Sequence, residues 1–174
     1  MLTKTSERGF SLLEAVIAAG LVTGAFAALA QMLAMSIPSD RSARSNSAAM
    51  VLAGQKLEQL RGLTWGFDPA GEPIDDGTTD TAASVEAPAG GTGLRPSPEG
   101  TLRANVAGYV DYVDHAGNIL GGGDTIPPGT RYVRRWSIER LPEHPDAIVL
   151  QVLVTGRGGG QTARLVTLRT RKAP

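Results

Sequence analysis

The chain has 174 residues, a formal net charge of zero and no cysteine. The lack of cysteine excludes disulfides, thiol catalysis and cysteine metal sites, and the zero net charge gives no overall attraction to nucleic acid or anionic lipid. Hydrophobic residues make up 41% of the chain but aromatic residues only 5%, so its core has to be built partly from Ala and Val.

The N-terminal segment is the most informative part of the sequence. Lys4 and Arg8 precede an apolar run from Phe10 to Ile37 in which Glu14 is the single charged residue. As a helix this run would extend ~42 Å, more than the ~30 Å hydrocarbon layer of a bilayer. An unpaired carboxylate in a bilayer costs a few kcal/mol. Cleavage between Gly9 and Phe10 would create an amine that could pair with it.

The junction Gly9-Phe10-Ser11-Leu12-Leu13-Glu14 resembles the prepilin motif of type IV pilins and type II secretion pseudopilins. In that family a membrane aspartic peptidase cleaves after the glycine and methylates the new amine of the phenylalanine. The retained glutamate then matters for inserting each subunit into the growing filament. The resemblance therefore implies cleavage at Gly9 and Phe10, N-methylation of Phe10 and an assembly role for Glu14. It implies as partners the prepilin peptidase, other pilin or pseudopilin subunits, the inner membrane and the assembly platform.

A secretory signal peptide is an alternative explanation of the same segment. Ala28-Leu29-Ala30 before Gln31 fits a small-residue cleavage site, and cleavage after Ala30 would release a secreted protein. Signal cores usually contain about 7–15 apolar residues, so the longer run here favours an anchor. The basic residues before the run predict a cytoplasmic leader at 1–9 and a head on the periplasmic side of the inner membrane. From there the subunit would pass into a pilus or pseudopilus.

Next along the chain, residues 38–62 predict an amphipathic helix. Its apolar stripe consists of Met50, Ala53, Gly54, Leu57 and Leu60. With the membrane segment 10–37 it predicts one long, bent helix from about Phe10 to Arg61, ending near Gly62. Residues 63–100, rich in Gly, Pro, Thr, Asp and Ala, predict a variable loop.

Residues 101–174 predict the antiparallel sheet of the head domain. Four strands are indicated, near 104–113, Arg131–Leu141, Ala147–Thr155 and Ala163–Thr170, the second of them half-exposed. One helix followed by three or four antiparallel strands gives an α+β class, and this order is that of pilins. The segment from Gln55 to Arg61 and the strand containing Trp136 are similar to PilV-type minor pilins and I-type pseudopilins.

Other chemistry is weakly indicated. Asp111, Asp114, Asn118 and Asp124 could be considered for calcium, but their spacing does not match an EF-hand loop and such residues are common in turns. His115 and His144 lie in turn-like segments. Seven arginines could form a basic face that binds DNA, although solvated strand positions explain them more simply; they are Arg131, Arg134, Arg135, Arg140, Arg164, Arg169 and Arg171.

We therefore expect a minor pilin or pseudopilin, not an enzyme, with no metal or cofactor. The main alternative is a binding module, an adhesin or a DNA-binding tip, on the same pilin anchor. In the first interpretation, nucleic acid is not expected as a partner.

Overall fold

A computed structural model describes residues 11–82, 91–158 and 162–171, and for 36–41 and 162 it describes the backbone alone. The chain divides into two compact units, Met1–Ala43 and Arg44–Pro174. In the first, the described part is helical. The second, here called the head, contains all of the described strands.

Helix α1 runs from Leu12 to Gly62. No proline interrupts its N-terminal part. The first proline of the chain, Pro38, lies within the helix. Glu14 is in the first turn and Arg61 in the last turn, where each charge is favourable to the helix dipole. Phe10, where we expected the helix to begin, lies outside the described residues.

Seven described strands form two antiparallel sheets, which confirms the α+β class. The first sheet pairs β1 (Trp65–Phe67) with β2 (Pro73–Asp75). The second has the order β4-β3-β5-β6-β7. Its strands are β3 (Val110–Val113), β4 (Ile119–Gly121), β5 (Tyr132–Leu141), β6 (His144–Gly156) and β7 (Thr162–Thr170).

The prediction of a single sheet with three or four strands is therefore wrong. The additional strands β1, β2 and β4 have three residues each, too few for alternation of apolar and polar residues to be recognised. Strands β1 and β2 lie within the segment 63–100, for which the sequence predicted no elements. The turn between them is held by Asp68, whose Oδ1 accepts hydrogen bonds from the backbone of Ala70 and Glu72, both at 2.8 Å.

The core of the head lies between α1 and one face of the larger sheet. From the helix it takes Ala49, Leu52, Ala53, Leu57 and Leu60, and from the sheet chiefly Trp136, Ile138, Ile148, Leu150, Val152 and Val154. The predicted helix stripe is thus partly wrong, because Met50 is 52% exposed whereas Leu52 is buried. The buried face is rotated toward the side on which Lys56 lies.

Strand β5 is not half-exposed as predicted, since residues 132–138 are buried apart from the half-buried Arg135. One face of the strand packs in the core. On the other face, Val133 packs with Val110, Tyr112 and Leu120. Further along, the Ser97 backbone donates to the carbonyl of Ile138 at 2.9 Å. On the second face, the Arg135 side chain donates to Asn105 Oδ1 in a loop. A two-residue period within one strand does not show whether a loop packs against that strand.

Candidate functional site

The predicted processing site lies at the N-terminus, where Gly9 and Phe10 are outside the described residues. Glu14 is an exposed residue of the first turn of α1. The turn begins with a hydrogen bond of 3.1 Å from the Ala15 backbone to the Ser11 carbonyl. Glu14 is the single acid between Leu12 and Met35.

The helix around Glu14 is apolar and exposed. Its segment Leu12–Met35 has 24 residues and a mean hydropathy of 2.0, enough in length and composition to cross a membrane, and the chain buries none of it. Signal sequences near an N-terminus share these two properties. The one hydroxyl in the middle of the segment, Thr23 Oγ1, donates to the Ala19 carbonyl at 2.7 Å, which satisfies a polar group within the helix.

Gly20 and Gly24 lie one turn apart on this segment. A Cβ built at either position would meet no atom within 4 Å. Such small residues let a second helix approach closely in lipid, although the spacing alone is common in membrane helices.

The head contains a buried ionic network that the sequence did not predict. Asp111 is completely buried between two cations. Its Oδ2 lies 2.8 Å from Lys56 Nζ and 2.7 Å from Arg134 Nη2, and Arg134 Nε donates to the same oxygen at 3.1 Å. The network therefore joins α1, β3 and β5 through one carboxylate.

Lys56 has further partners that account for its burial. Its ammonium donates to Gln59 Oε1 at 2.8 Å and to the Thr81 carbonyl. It also lies 4.1 Å from the centre of the Trp136 ring, a cation–π distance. Burial lowers the pKa of Lys56 below its ordinary value, while the charge of Asp111 opposes that shift. These contacts stabilise the head and offer no open position for a substrate.

The spacing of residues along α1 indicates that the cation of this network contributed by the helix is buried. Leu52, Lys56 and Leu60 follow one another at four-residue spacing, so a buried Leu52 and Leu60 imply a buried Lys56. Arg134 alternates with Tyr132 and Trp136 along the strand, so a buried Tyr132 and Trp136 imply that Arg134 is buried on the same face. In the sequence, Asp111 falls in a group typical of turns, and nothing in that group links it to Lys56 or Arg134 as their counter-ion.

The four residues considered for calcium do not converge. Asp111 is occupied by Lys56 and Arg134, whereas Asp114 closes its own turn by accepting from the backbone of Ala116 at 2.8 Å and of Asn118 at 2.9 Å. The hydrogen bonds from Asn118 hold the pKa of Asp114 below its usual value. Within the described ranges, no group of three or more His, Asp or Glu side chains is placed to hold a metal ion.

The arginines considered as a basic face contact the head itself. Arg135 binds Asn105 Oδ1, and Arg140 binds Asp75 Oδ2, both at 2.6 Å. Arg171 lies 3.6 Å above the Trp65 ring. The remaining contacts are those of Arg134 to Asp111, Arg164 to Gln151, Arg169 to the carbonyls of Leu60 and Leu63, and Arg131 to the ring of Tyr132. Solvated positions therefore do not describe most of these residues.

The described residues also contain a polar groove of about 690 Å³, lined by residues 97–103 together with Ser137 and Glu139. The Glu139 carboxylate already accepts hydrogen bonds from Ser137 at 3.0 Å and from Gln151 at 2.9 Å. The groove therefore presents no unpartnered buried group to a ligand, and the exposed apolar helix with Glu14 is the stronger candidate.

Comparisons with protein-family models, with curated proteins and with solved structures return no match.

Proposed function

We propose that this chain is a minor pilin or pseudopilin subunit, cleaved after Gly9, N-methylated at Phe10 and assembled into a type IV pilus or type II secretion filament. The observation that carries the proposal is the exposed apolar segment of 24 residues at the start of α1, whose single acid lies in the first turn of the helix. Ahead of it stand the Gly9-Phe10 pair and two basic residues, Lys4 and Arg8.

The position of Glu14 supports this role through electrostatics. A carboxylate within lipid needs a cation, and an amine generated at Phe10 would be four residues away on the same chain. In a medium of low dielectric constant, such a pair, formed within one subunit or between neighbours, favours one docking register over others. Its net stabilisation is small, because both ions lose their hydration. Glu14 therefore acts on register more than on affinity.

The continuation of α1 into the head supports a filament subunit over a secreted protein. Ala30 and Gln31 lie within the helix, whereas cleavage after Ala30 would leave a head preceded by a short helical remnant. In the proposed arrangement residues 1–9 are a cytoplasmic leader, α1 anchors the subunit in the inner membrane, and the head is periplasmic. The prepilin peptidase, other subunits and the assembly platform are the partners.

The intact mass of the protein purified from its native cells tests the proposal. We expect a mature chain that begins at methylated Phe10, and Gly9→Val should prevent this processing because the cleavage site accepts a residue without Cβ. A mature chain that begins at Gln31 would show a secreted protein instead, and a chain that retains its first nine residues would show a plain membrane anchor.

A second experiment separates processing from assembly. Glu14→Ala should leave cleavage intact and remove the subunit from sheared filaments, and Glu14→Gln should behave alike because it also lacks the charge. Glu58→Ala is the matched control, since Glu58 is an exposed acid of the same helix whose partner is the exposed Arg61. Normal incorporation of Glu14→Ala would contradict the pairing role.

A further inference from the structure

Strand β7 is an unprotected edge of the larger sheet. Among the described residues it pairs with β6 alone, in an unbroken register from Ala147↔Thr170 to Thr155↔Thr162. The other edge, β4, has three residues and a register shift against β3. Proteins usually protect a long edge with proline, a bulge, a short strand or charges. Of these devices, β7 has only charges.

The charges on β7 are all positive and do not block its edge. Arg164 donates to the Gln151 side chain of β6, and Arg169 donates to the carbonyls of Leu60 and Leu63 at 3.3 and 2.8 Å. Both guanidinium groups are thus held against their own domain, on neutral acceptors. No acid occurs between Thr162 and Thr170, so the edge carries positive charge that these hydrogen bonds do not neutralise.

The same strand exposes two apolar side chains beside Arg164. Val166 is 57% exposed and Leu168 is 59% exposed. With Arg164 they occupy alternate positions on one face of the strand. Across the ladder they lie opposite Gln151 and Val149 of β6.

We propose that the edge of β7 binds, as an added strand, an extended segment of another polypeptide that presents apolar side chains flanked by carboxylates. Backbone hydrogen bonds to the free edge would provide the common part of the affinity, and the side chains would provide specificity. Apolar residues opposite Val166 and Leu168 with a carboxylate opposite Arg164 make favourable cross-strand pairs. A second copy of β7 fits less well, because it has no acid and would bring four arginines to one seam. This surface does not depend on the proposed filament role.

Four synthetic peptides of nine residues, measured by fluorescence anisotropy on the full-length protein in detergent, test the proposal. The first is Thr-Glu-Val-Thr-Val-Thr-Glu-Thr-Thr, which places its glutamates opposite Arg164 and Arg169 in an antiparallel pairing. The second replaces both glutamates by lysine, and the third replaces the central valine by proline. The fourth has the sequence of β7 itself, residues 162–170.

We expect the acidic peptide to bind and to slow hydrogen exchange of the β7 amides. The lysine peptide should bind about tenfold more weakly, and the proline peptide should lose most binding because proline cannot donate to the ladder. Equal binding of the acidic and lysine peptides, tighter binding of the β7 peptide, or protection outside β7 would each overturn the proposal.

A charge reversal on the protein provides the control for specificity. Arg164→Glu should weaken binding of the acidic peptide about fivefold and strengthen binding of the lysine peptide. A merely structural role of Arg164 would not produce this exchange of preference. Arg131→Glu is the matched control, since Arg131 is also exposed but precedes β5, where its backbone N–H donates to the carbonyl of Val113 in β3. If both variants change peptide binding alike, the edge of β7 is not the site.

Discussion

The most informative perturbation of the head is Asp111→Asn. The substitution keeps the shape of the side chain and removes the negative charge of the carboxylate that Lys56 and Arg134 contact at 2.8 and 2.7 Å. Both cations then remain in a site that is almost fully buried. Their charges repel each other there, and neither can move to water without opening the core.

The expected loss of unfolding free energy is large relative to the stability of a small domain. Removing one partner of a buried ion pair typically costs about 3–5 kcal/mol, from a total of about 5–15 kcal/mol. Lys56→Met should cost less, about 1–3 kcal/mol, because Asp111 keeps both hydrogen bonds from Arg134 and the two charges remain paired. The bonds of the ammonium to Asp111, Gln59 and the Thr81 carbonyl and its contact with the Trp136 ring are lost. The structure therefore predicts an order, with Asp111→Asn the more destabilising.

Urea unfolding of the full-length protein in detergent, followed by tryptophan fluorescence, measures these losses. Both tryptophans are buried in the head, Trp136 under the ammonium of Lys56 and Trp65 under the guanidinium of Arg171, so their emission reports on unfolding of the head. The control is Glu58→Gln, which breaks an exposed pair with Arg61 on the same helix and should cost no more than about 0.5 kcal/mol. If Asp111→Asn cost as little as Glu58→Gln, or less than Lys56→Met, the network would not support the fold as described.

Three further predictions concern the pH dependence and the backbone of the head. Burial lowers the pKa of Lys56 in the folded state, so between that pKa and about 10.5 the unfolded chain binds more protons than the folded chain. The free energy of unfolding of the native protein, relative to that of Lys56→Met, should therefore rise with pH in this window when measured by urea titration. A difference that does not change with pH would contradict this prediction. Gly93 has a φ of +50° and a Cβ there would overlap the Asp76 carbonyl, whereas Gly123 has a φ of +94° with open space around it. Gly93→Ala should therefore lower the free energy of unfolding, measured by thermal unfolding, by about 1–3 kcal/mol more than Gly123→Ala does. Equal losses would contradict the overlap. Arg169→Met should lower the free energy of unfolding by about 1–3 kcal/mol, since carbonyls at the end of α1 lose a charged donor. Amide hydrogen exchange should increase most in the last turn of α1, and unchanged exchange there would contradict this role.

The elements with long, regular patterns could be predicted from the sequence. The strands predicted near Ala147–Thr155 and Ala163–Thr170 lie close to β6 and β7, because eight or nine residues of alternating or continuous apolar character are hard to interpret otherwise. The apolar N-terminal helix was equally clear. In contrast, β4 and the pair of β1 and β2 could not be predicted, since each strand has three residues, too few for a recognisable alternation of apolar and polar side chains.

The rotation of the helix face and the buried network required the tertiary structure. Met50 and Leu52 are both apolar, and the sequence alone does not decide which of them meets the sheet. Lys56 is normally assigned to a polar face, and its burial depends on Asp111, 55 positions away along the chain. A local pattern cannot identify a counter-ion supplied by another strand. The roles expected for Gly9, Phe10 and Glu14 remain predictions.

The contacts of Arg169 have a consequence for the order in which the head is completed. The guanidinium that caps the end of α1 belongs to the strand furthest along the chain among the described elements, more than a hundred residues after Leu60. During synthesis, the end of α1 is made before β7, so its carbonyls lack the Arg169 donor until β7 has been synthesised. A ribosome stalled before β7 would hold a nascent head whose helix ends in a frayed turn, open to proteases and to chaperones.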